Sequence, residues 1–193
     1  MGYLRFITNF IATYYAFEPS TYWTFLKWYT LSMGLDAIDG KLARAFNQSS
    51  RFGASLDMVS DRTSCATIYC LLMQTYPEKE YSWLFLTCFI LDFGSHFLQF
   101  CTSALVKSES HKNESSNFIV NFYYTNILFF YATVTFAEFA SGALVLQRRS
   151  EAWRQSMPAQ ALTYMLCSFL TLKMIINCYQ WSGAVQLLLN FVK

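Results

Sequence analysis

The 193-residue chain is long enough for one domain and short for two. Hydrophobic residues make up 54% of it and aromatic residues 19%, whereas charged residues reach only 13%, about half the share usual in a soluble domain. That balance argues against a soluble globule, and a net charge of +2 is too small to point to a nucleic-acid partner. The distribution of charge says more than the average. Residues 115–137 and 174–192 carry no charge, and from Gln155 to Val192 the only charge is Lys173. Uncharged runs near 20 residues are long enough to cross a bilayer as helices, so the composition predicts a polytopic membrane protein.

In chain order, Tyr3–Phe17 reads as a first apolar helix, barely long enough to span, interrupted by one Arg. Glu18-Pro19-Ser20 is a turn, with Pro suited to the first turn of the helix that follows. Thr21–Gly34 reads as a second helix running into the polar stretch that begins at Asp36. Asn47-Gln48-Ser49-Ser50 marks a loop, and a third helix runs from near Phe52 to about Thr75. After the polar turn at residues 76–80, Trp83–Val106 forms a fourth helix broken in polarity by Asp92 and His96. Residues 107–117, KSESHKNESSN, form the longest polar loop. Phe118–Leu146 is expected as a fifth helix and Gln147–Pro158 as a polar loop holding Arg148, Arg149 and Arg154. From Ala159 onward the chain predicts a sixth helix with an interfacial end. Strand alternation and internal repeats are not evident. The fold expectation is therefore all-α, a single domain over residues 1–193 with six transmembrane helices.

Six spans put both termini on one side, together with the polar stretch from Asp36 and the 107–117 loop. That side holds Arg5, Lys41, Arg44, Arg51, Arg62, Lys107, Lys112 and Lys193, against Lys79, Arg148, Arg149 and Arg154 on the other. The excess predicts that it is cytoplasmic. The six Cys all lie in apolar runs without CxxC or His pairing, which reads as buried free thiols.

The chemistry concentrates between Asp36 and Asp61, DAIDGKLARAFNQSSRFGASLDMVSD. At 100° per residue Asp36, Asp39, Gly40 and Ala43 share one face of a helix, with Arg44 at its edge. Gly53, Asp57 and Asp61 form a stripe on the next helix, which Ser50 joins if that helix starts early. Four carboxylates brought close together repel and need cations between them, so a divalent-metal site is predicted. Two metals about 4 Å apart can clamp both oxygens of an in-line phosphoryl displacement. Gly40, Ala43 and Gly53 keep bulk off the same faces, and Arg44 follows Gly40 by one turn, placing a guanidinium within reach of a phosphate there. The competing reading, a structural acid–base cluster of these Asp with Lys41, Arg44, Arg51 and Arg62, leaves the small residues without a purpose.

The complete pattern D-x2-D-G-x2-A-R-x8-G-x3-D-x3-D resembles the signature of the CDP-alcohol phosphotransferase family. The resemblance implies a six-helix membrane enzyme that displaces CMP from a CDP-linked lipid by an alcohol. Carried over by position, it implies that Asp36, Asp39 and Asp57 ligate metals, that Asp61 ligates metal and accepts a proton, and that Gly40, Ala43, Arg44, Ser50 and Gly53 border the CDP moiety. The segments RFGASLDMVSDR, LDFGSHFLQF and KSESHK, with YYT at Tyr123–Thr125 and LK at Leu172–Lys173, are similar to eukaryotic phosphatidylinositol synthases. That likeness implies CDP-diacylglycerol and myo-inositol as substrates, two Mg²⁺ or Mn²⁺ ions, the endoplasmic reticulum membrane with the site at the cytoplasmic ends of helices two and three, and a homodimer. The family carries a further stretch before the first span, often with Pro-Asn, and here the chain begins almost at the span. The expectation is that either the sequence is truncated there or this member has lost that segment.

Other polar residues have two readings each. His96, four residues after Asp92, is either a satisfied intramembrane partner of that Asp or part of acceptor recognition. His111 and Lys112 are either an ordinary solvated loop or acceptor contacts. Lys173 either snorkels or pairs with an acid such as Glu138. Two alternative functions stay open: a relative that uses another alcohol, such as glycerol phosphate, serine or choline, and a divalent-cation transporter, for which the Gly40, Ala43, Arg44 and Gly53 pattern has no reason. A catalytically dead scaffold is disfavoured by the intact four-Asp set.

Overall fold

The structure is a computed structural model that describes residues 2–48, 50–106 and 118–192. All regular structure among these residues is helical, as the composition predicts. The chain divides into two compact units, Met1–Thr75 and Tyr76–Lys193.

The first unit contains α1 (Gly2–Ala16), a single 3₁₀ turn at Pro19–Thr21, α2 (Tyr22–Ala45) and α3 (Arg51–Thr75). Glu18 caps the 3₁₀ turn through its side chain, and Pro19 opens it, as the sequence predicts. Along α1 the buried positions are Arg5, Thr8, Asn9, Ala12 and Ala16, an i, i+3, i+4 stripe that places α1 against both α2 and α3. Ala12 and Ala16, fully buried, let the helix backbones approach closely. Helix α2 does not stop before the motif but carries Asp36, Asp39 and Gly40 within its length. It ends because Asn47 adopts φ 52°, a left-handed conformation that Asn tolerates better than most residues. The Gln48 N–H then donates to the Ala43 carbonyl (2.8 Å) and the Asn47 N–H to the Arg44 carbonyl (3.2 Å), the bonds of a Schellman cap.

The second unit contains α4 (Lys79–Val106), α5 (Phe118–Thr125), α6 (Ile127–Arg149), α7 (Glu151–Gln155) and α8 (Met157–Val192). Three of its helices are long and apolar enough to cross a membrane, over Lys79–Leu105, Ile127–Arg149 and Met157–Phe191. Helices α1 to α3 do not reach that measure: α1 has 15 residues, and α2 and α3 carry the charges of the motif. The polarity of α4 is inverted relative to a soluble helix. Asp92, Ser95 and Thr102 are buried, while Trp83, Leu84, Ile90, Phe97 and Leu105 are exposed. On α8, Thr163, Lys173, Asn177 and Gln180 likewise face inward, with Ile175, Leu189 and Phe191 outward. Such an arrangement suits an apolar surround in which polar groups must find partners inside the protein.

Two predicted boundaries in this unit change. The expected fifth helix is two helices, because Asn126 ends α5 with its N–H on the Phe122 carbonyl (3.0 Å) and caps α6 by accepting from the Phe129 N–H (3.0 Å). The expected loop at 147–158 is largely helical. Arg148 and Arg149 sit in the last turn of α6, where cations offset the exposed carbonyls. Ser150 then caps α7, accepting from the Trp153 N–H at 3.3 Å. The expected last helix is present as α8, 36 residues and about 54 Å at 1.5 Å per residue, longer than a hydrocarbon core of about 30 Å requires. The indole N–H of Trp153 donates to Thr163 Oγ1 (3.1 Å), fixing α7 beside α8 over the core of Ala140, Ala143 and Leu166. At the start of the unit Tyr76 donates its hydroxyl to the Leu144 carbonyl (2.8 Å), and Arg148 lies over its ring and pairs with Glu78. Burial pushes the Tyr76 phenol up to about 12, so it remains a donor throughout the physiological range.

Candidate metal centre and its surroundings

The site is built where α2 ends and α3 begins. Asp36 and Asp39 stand one turn apart on α2, and Asp57 and Asp61 one turn apart on α3. Asp36, Asp39 and Asp57 each offer a carboxylate oxygen, and these oxygens lie within 4.8 Å of one another. Asp36 and Asp57 are exposed and Asp39 is half-buried, so the cluster is open to ligands. Hard carboxylate oxygens at this spacing suit Mg²⁺ or Mn²⁺, which favour oxygen donors. On their chemistry and spacing, the residues present fit a divalent cation.

The residues flanking the carboxylates have distinct local tasks. A Cβ at Gly40 would lie 3.5 Å from Arg44 Nη1, so the Arg44 guanidinium folds back over the bare backbone of Gly40. Both groups are on the face of Asp36 and Asp39, and Ala43 adds little bulk beside them. Ser50 is the N-cap of α3: its Oγ accepts from the Gly53 N–H at 3.0 Å, and its carbonyl accepts from the Ala54 N–H at 3.1 Å. A Cβ at Gly53 would lie 3.2 Å from that Oγ, tighter than ordinary contact, so glycine keeps the cap uncrowded. Ser50 and Gly53 therefore start the helix that carries Asp57 and Asp61.

One residue was not among those predicted for the site. Arg5 of α1, only 4% exposed, reaches all four carboxylates. Its Nη1 lies 2.6 Å from Asp36 Oδ1 and 4.0 Å from Asp39 Oδ2, and it pairs with Asp57 through Nη1 and with Asp61 through Nη2. Asp61 thus joins the cluster through Arg5. The sequence contains a signal for this: Arg5 is the one charge in an apolar segment, and a charge there needs a counter-ion inside the protein. The acids of the next two helices are the nearest in sequence apart from Glu18.

The predicted acceptor residues fare differently. His111 and Lys112 lie outside the described residues. His96 is on α4, in the second unit, where its Nδ1 is 2.9 Å from the Asp92 carbonyl oxygen and 3.2 Å from Ser95 Oγ. The predicted i, i+4 pairing therefore involves the backbone of Asp92. The Asp92 carboxylate instead meets Lys173 Nζ at 3.2 Å and the Asn177 amide at 3.0 Å. Lys173 also reaches Glu138 at 3.3 Å, so it is paired with the acid foreseen and with a second one. Beyond this group Gln180 donates to the Tyr124 hydroxyl (2.9 Å), which donates to Gln99 Oε1 (3.3 Å).

Comparison with known proteins bears on what such a site serves. The chain matches the CDP-alcohol phosphatidyltransferase family over residues 1–192. It is 33% identical over 195 residues to a probable CDP-diacylglycerol–inositol 3-phosphatidyltransferase 2 of Arabidopsis thaliana, covering 100% of this chain and 83% of that protein. It is 39% identical over 131 residues to CDP-diacylglycerol–inositol 3-phosphatidyltransferase 1 of the same plant, covering 67% of this chain and 56% of that protein. To the CDP-diacylglycerol–inositol 3-phosphatidyltransferase of Rattus norvegicus it is 40% identical over 160 residues, covering 75% of this chain and 72% of that protein. No solved structure matches. With a match across nearly its whole length, this chain belongs to the CDP-alcohol phosphatidyltransferase family.

Proposed function

We propose that the protein transfers the phosphatidyl group of CDP-diacylglycerol to myo-inositol, giving phosphatidylinositol and CMP. The observation that carries the reading is the convergence of Asp36, Asp39 and Asp57 within 4.8 Å beside Gly40 and Arg44, in a chain whose similar proteins bear that enzyme's name. The two units belong, on this reading, to one membrane domain, as the family match over residues 1–192 supports.

Each residue has a task. Arg44, lying over Gly40, holds a phosphate of the CDP group against the α2 face by charge-assisted hydrogen bonds. Gly40 and Ala43 admit the nucleotide end of the lipid, while Ser50 and Gly53 fix the first turn of α3 and border the same ligand. Asp61 takes the proton from the attacking inositol hydroxyl. The hydroxyl oxygen then forms a bond to the β-phosphorus as the bond from that phosphorus to the CMP oxygen breaks, and CMP leaves as the anion. Two Mg²⁺ or Mn²⁺ ions held by Asp36, Asp39, Asp57 and Asp61 would neutralise the pyrophosphate and the departing CMP. Positioning accounts for much of the acceleration, with general-base catalysis contributing about 10²–10⁴-fold.

Six spans, with the site at the cytoplasmic ends of the second and third helices in the endoplasmic reticulum membrane, complete the proposal, as does a homodimer. The excess of basic residues on the side of the motif supports that orientation. His96, His111 and Lys112 are the proposed acceptor contacts. The test is an acceptor panel: purified protein with CDP-diacylglycerol and, in turn, myo-inositol, glycerol 3-phosphate, serine and choline. Product with inositol is the expected outcome, and transfer to another alcohol in its place would overturn the assignment.

A further inference from the structure

We infer that Arg5 is a positioning residue, a built-in counter-cation that holds the four carboxylates of α2 and α3 together in the absence of divalent cations and competes with those cations for the same oxygens. The inference rests on the proposed reading of the motif as a divalent-cation site. The Arg5 guanidinium is buried to 96% and lies in ion-pair range of four carboxylates. It comes from a third helix. The Arg5 carbonyl accepts from Thr8 Oγ1 (2.8 Å) and from Ser32 Oγ of α2 (3.4 Å), which fixes the backbone of α1 from which it reaches. One cation thereby ties α1 to both acid-bearing helices.

Two features mark Arg5 as exchangeable. A guanidinium carries one positive charge against four negative ones, whereas two divalent cations would carry four. The planar fork also fits the cluster incompletely: Asp39 lies at 4.0 Å, beyond hydrogen-bond range, and Nε is buried with no hydrogen-bond partner. A cation that accepts about six oxygen ligands suits converging carboxylates better than a fork does. The same oxygens cannot be saturated by both, so divalent binding must loosen the hold of Arg5. Removing Arg5 should therefore weaken the metal-free protein and strengthen metal binding, two effects of opposite sign.

The test compares wild type with Arg5→Gln and Arg5→Lys, purified in Mn²⁺ and then stripped with chelator, using Mn²⁺ alone as the probe. Thermal unfolding in chelator and Mn²⁺ affinity by electron paramagnetic resonance are read on each. Arg5→Gln should melt roughly 10 °C below wild type in chelator, or unfold on chelation that wild type survives. Saturating Mn²⁺ should restore most of that loss, and Mn²⁺ affinity should rise by about tenfold or more as a positive charge leaves the site. Arg5→Lys should fall between the two. A purely structural Arg5 would lower the melting point equally with and without Mn²⁺ and leave affinity unchanged, which overturns the inference. So does weaker Mn²⁺ binding in Arg5→Gln. If Mn²⁺ neither binds nor stabilises wild type, the metal-site reading itself fails and the inference falls with it.

Discussion

Replacing Lys173 by Met tests whether the inward polar groups of the second unit act as internal cross-links. The ammonium is buried between the carboxylates of Asp92 on α4 (3.2 Å) and Glu138 on α6 (3.3 Å), so one side chain of α8 ties two other helices. At an effective dielectric of about 20, unit charges at these separations attract by about 5 kcal/mol each, before the desolvation that offsets most of the gain. Truncating one partner of a buried pair typically costs about 3–5 kcal/mol, because the remaining charge is stranded. Asp92, 1% exposed, keeps the Asn177 amide at 3.0 Å but loses its nearest cation. With the midpoint moving about 2–4 °C per kcal/mol for a chain of this size, Lys173→Met should unfold roughly 6–20 °C below wild type in detergent micelles. Adding Asp92→Asn removes the stranded charge and should recover more than half of that loss. A single variant within about 2 °C of wild type, or a double variant no better than the single, would mean that Lys173 does not cross-link these helices.

Three further outcomes follow from the geometry. Asp61→Asn should lower turnover by at least about 10²-fold while leaving CDP-lipid binding measurable by isothermal calorimetry; wild-type rates would remove Asp61 as the base. Arg44→Ala should weaken CDP-lipid binding by about 10–100-fold through loss of a charge-assisted contact, and an unchanged nucleotide affinity would remove Arg44 as the phosphate contact. At Gly94 on α4 a Cβ would collide with Cζ3 of Trp181 on α8, so Gly94→Ala must displace the indole. The overpacking cost of about 1–3 kcal/mol should outweigh the helix-propensity gain of about 1 kcal/mol and lower the melting point, and Trp181→Ala in the same chain should relieve it.

Much of the first unit was legible because its punctuation is local. Pro19 and the Asn47–Ser50 stretch bound three helices, and the i, i+3 and i, i+4 spacing of the four Asp is a statement about helix faces that needs no tertiary knowledge. The partner of those faces was not legible in the same way. Arg5 is 31 residues from Asp36, and only the packing of α1 on α2 and α3 brings its guanidinium among the carboxylates. The break at Asn126 is hidden in the sequence because an uncharged run through residues 115–137 reads as one span, and a single capping Asn is a weak signal against it. Arg148 and Arg149 pointed to a loop by composition, although basic residues in a last helical turn are equally at home. For Lys173 the sequence supplied Glu138 as a candidate acid, while Asp92, 81 residues away, became its partner through the packing of α4 on α8.

On the proposed function, metal-dependent phosphatidyl transfer to inositol is the reaction of the Asp36–Asp61 motif. It is tested most directly by incubating the purified protein with CDP-diacylglycerol and radiolabelled myo-inositol, with Mg²⁺ or Mn²⁺ or with chelator, and measuring CMP and labelled lipid together. One CMP should be released for each labelled lipid formed, with both products lost in chelator. Transport of metal ions across a vesicle membrane with no CMP released would contradict it.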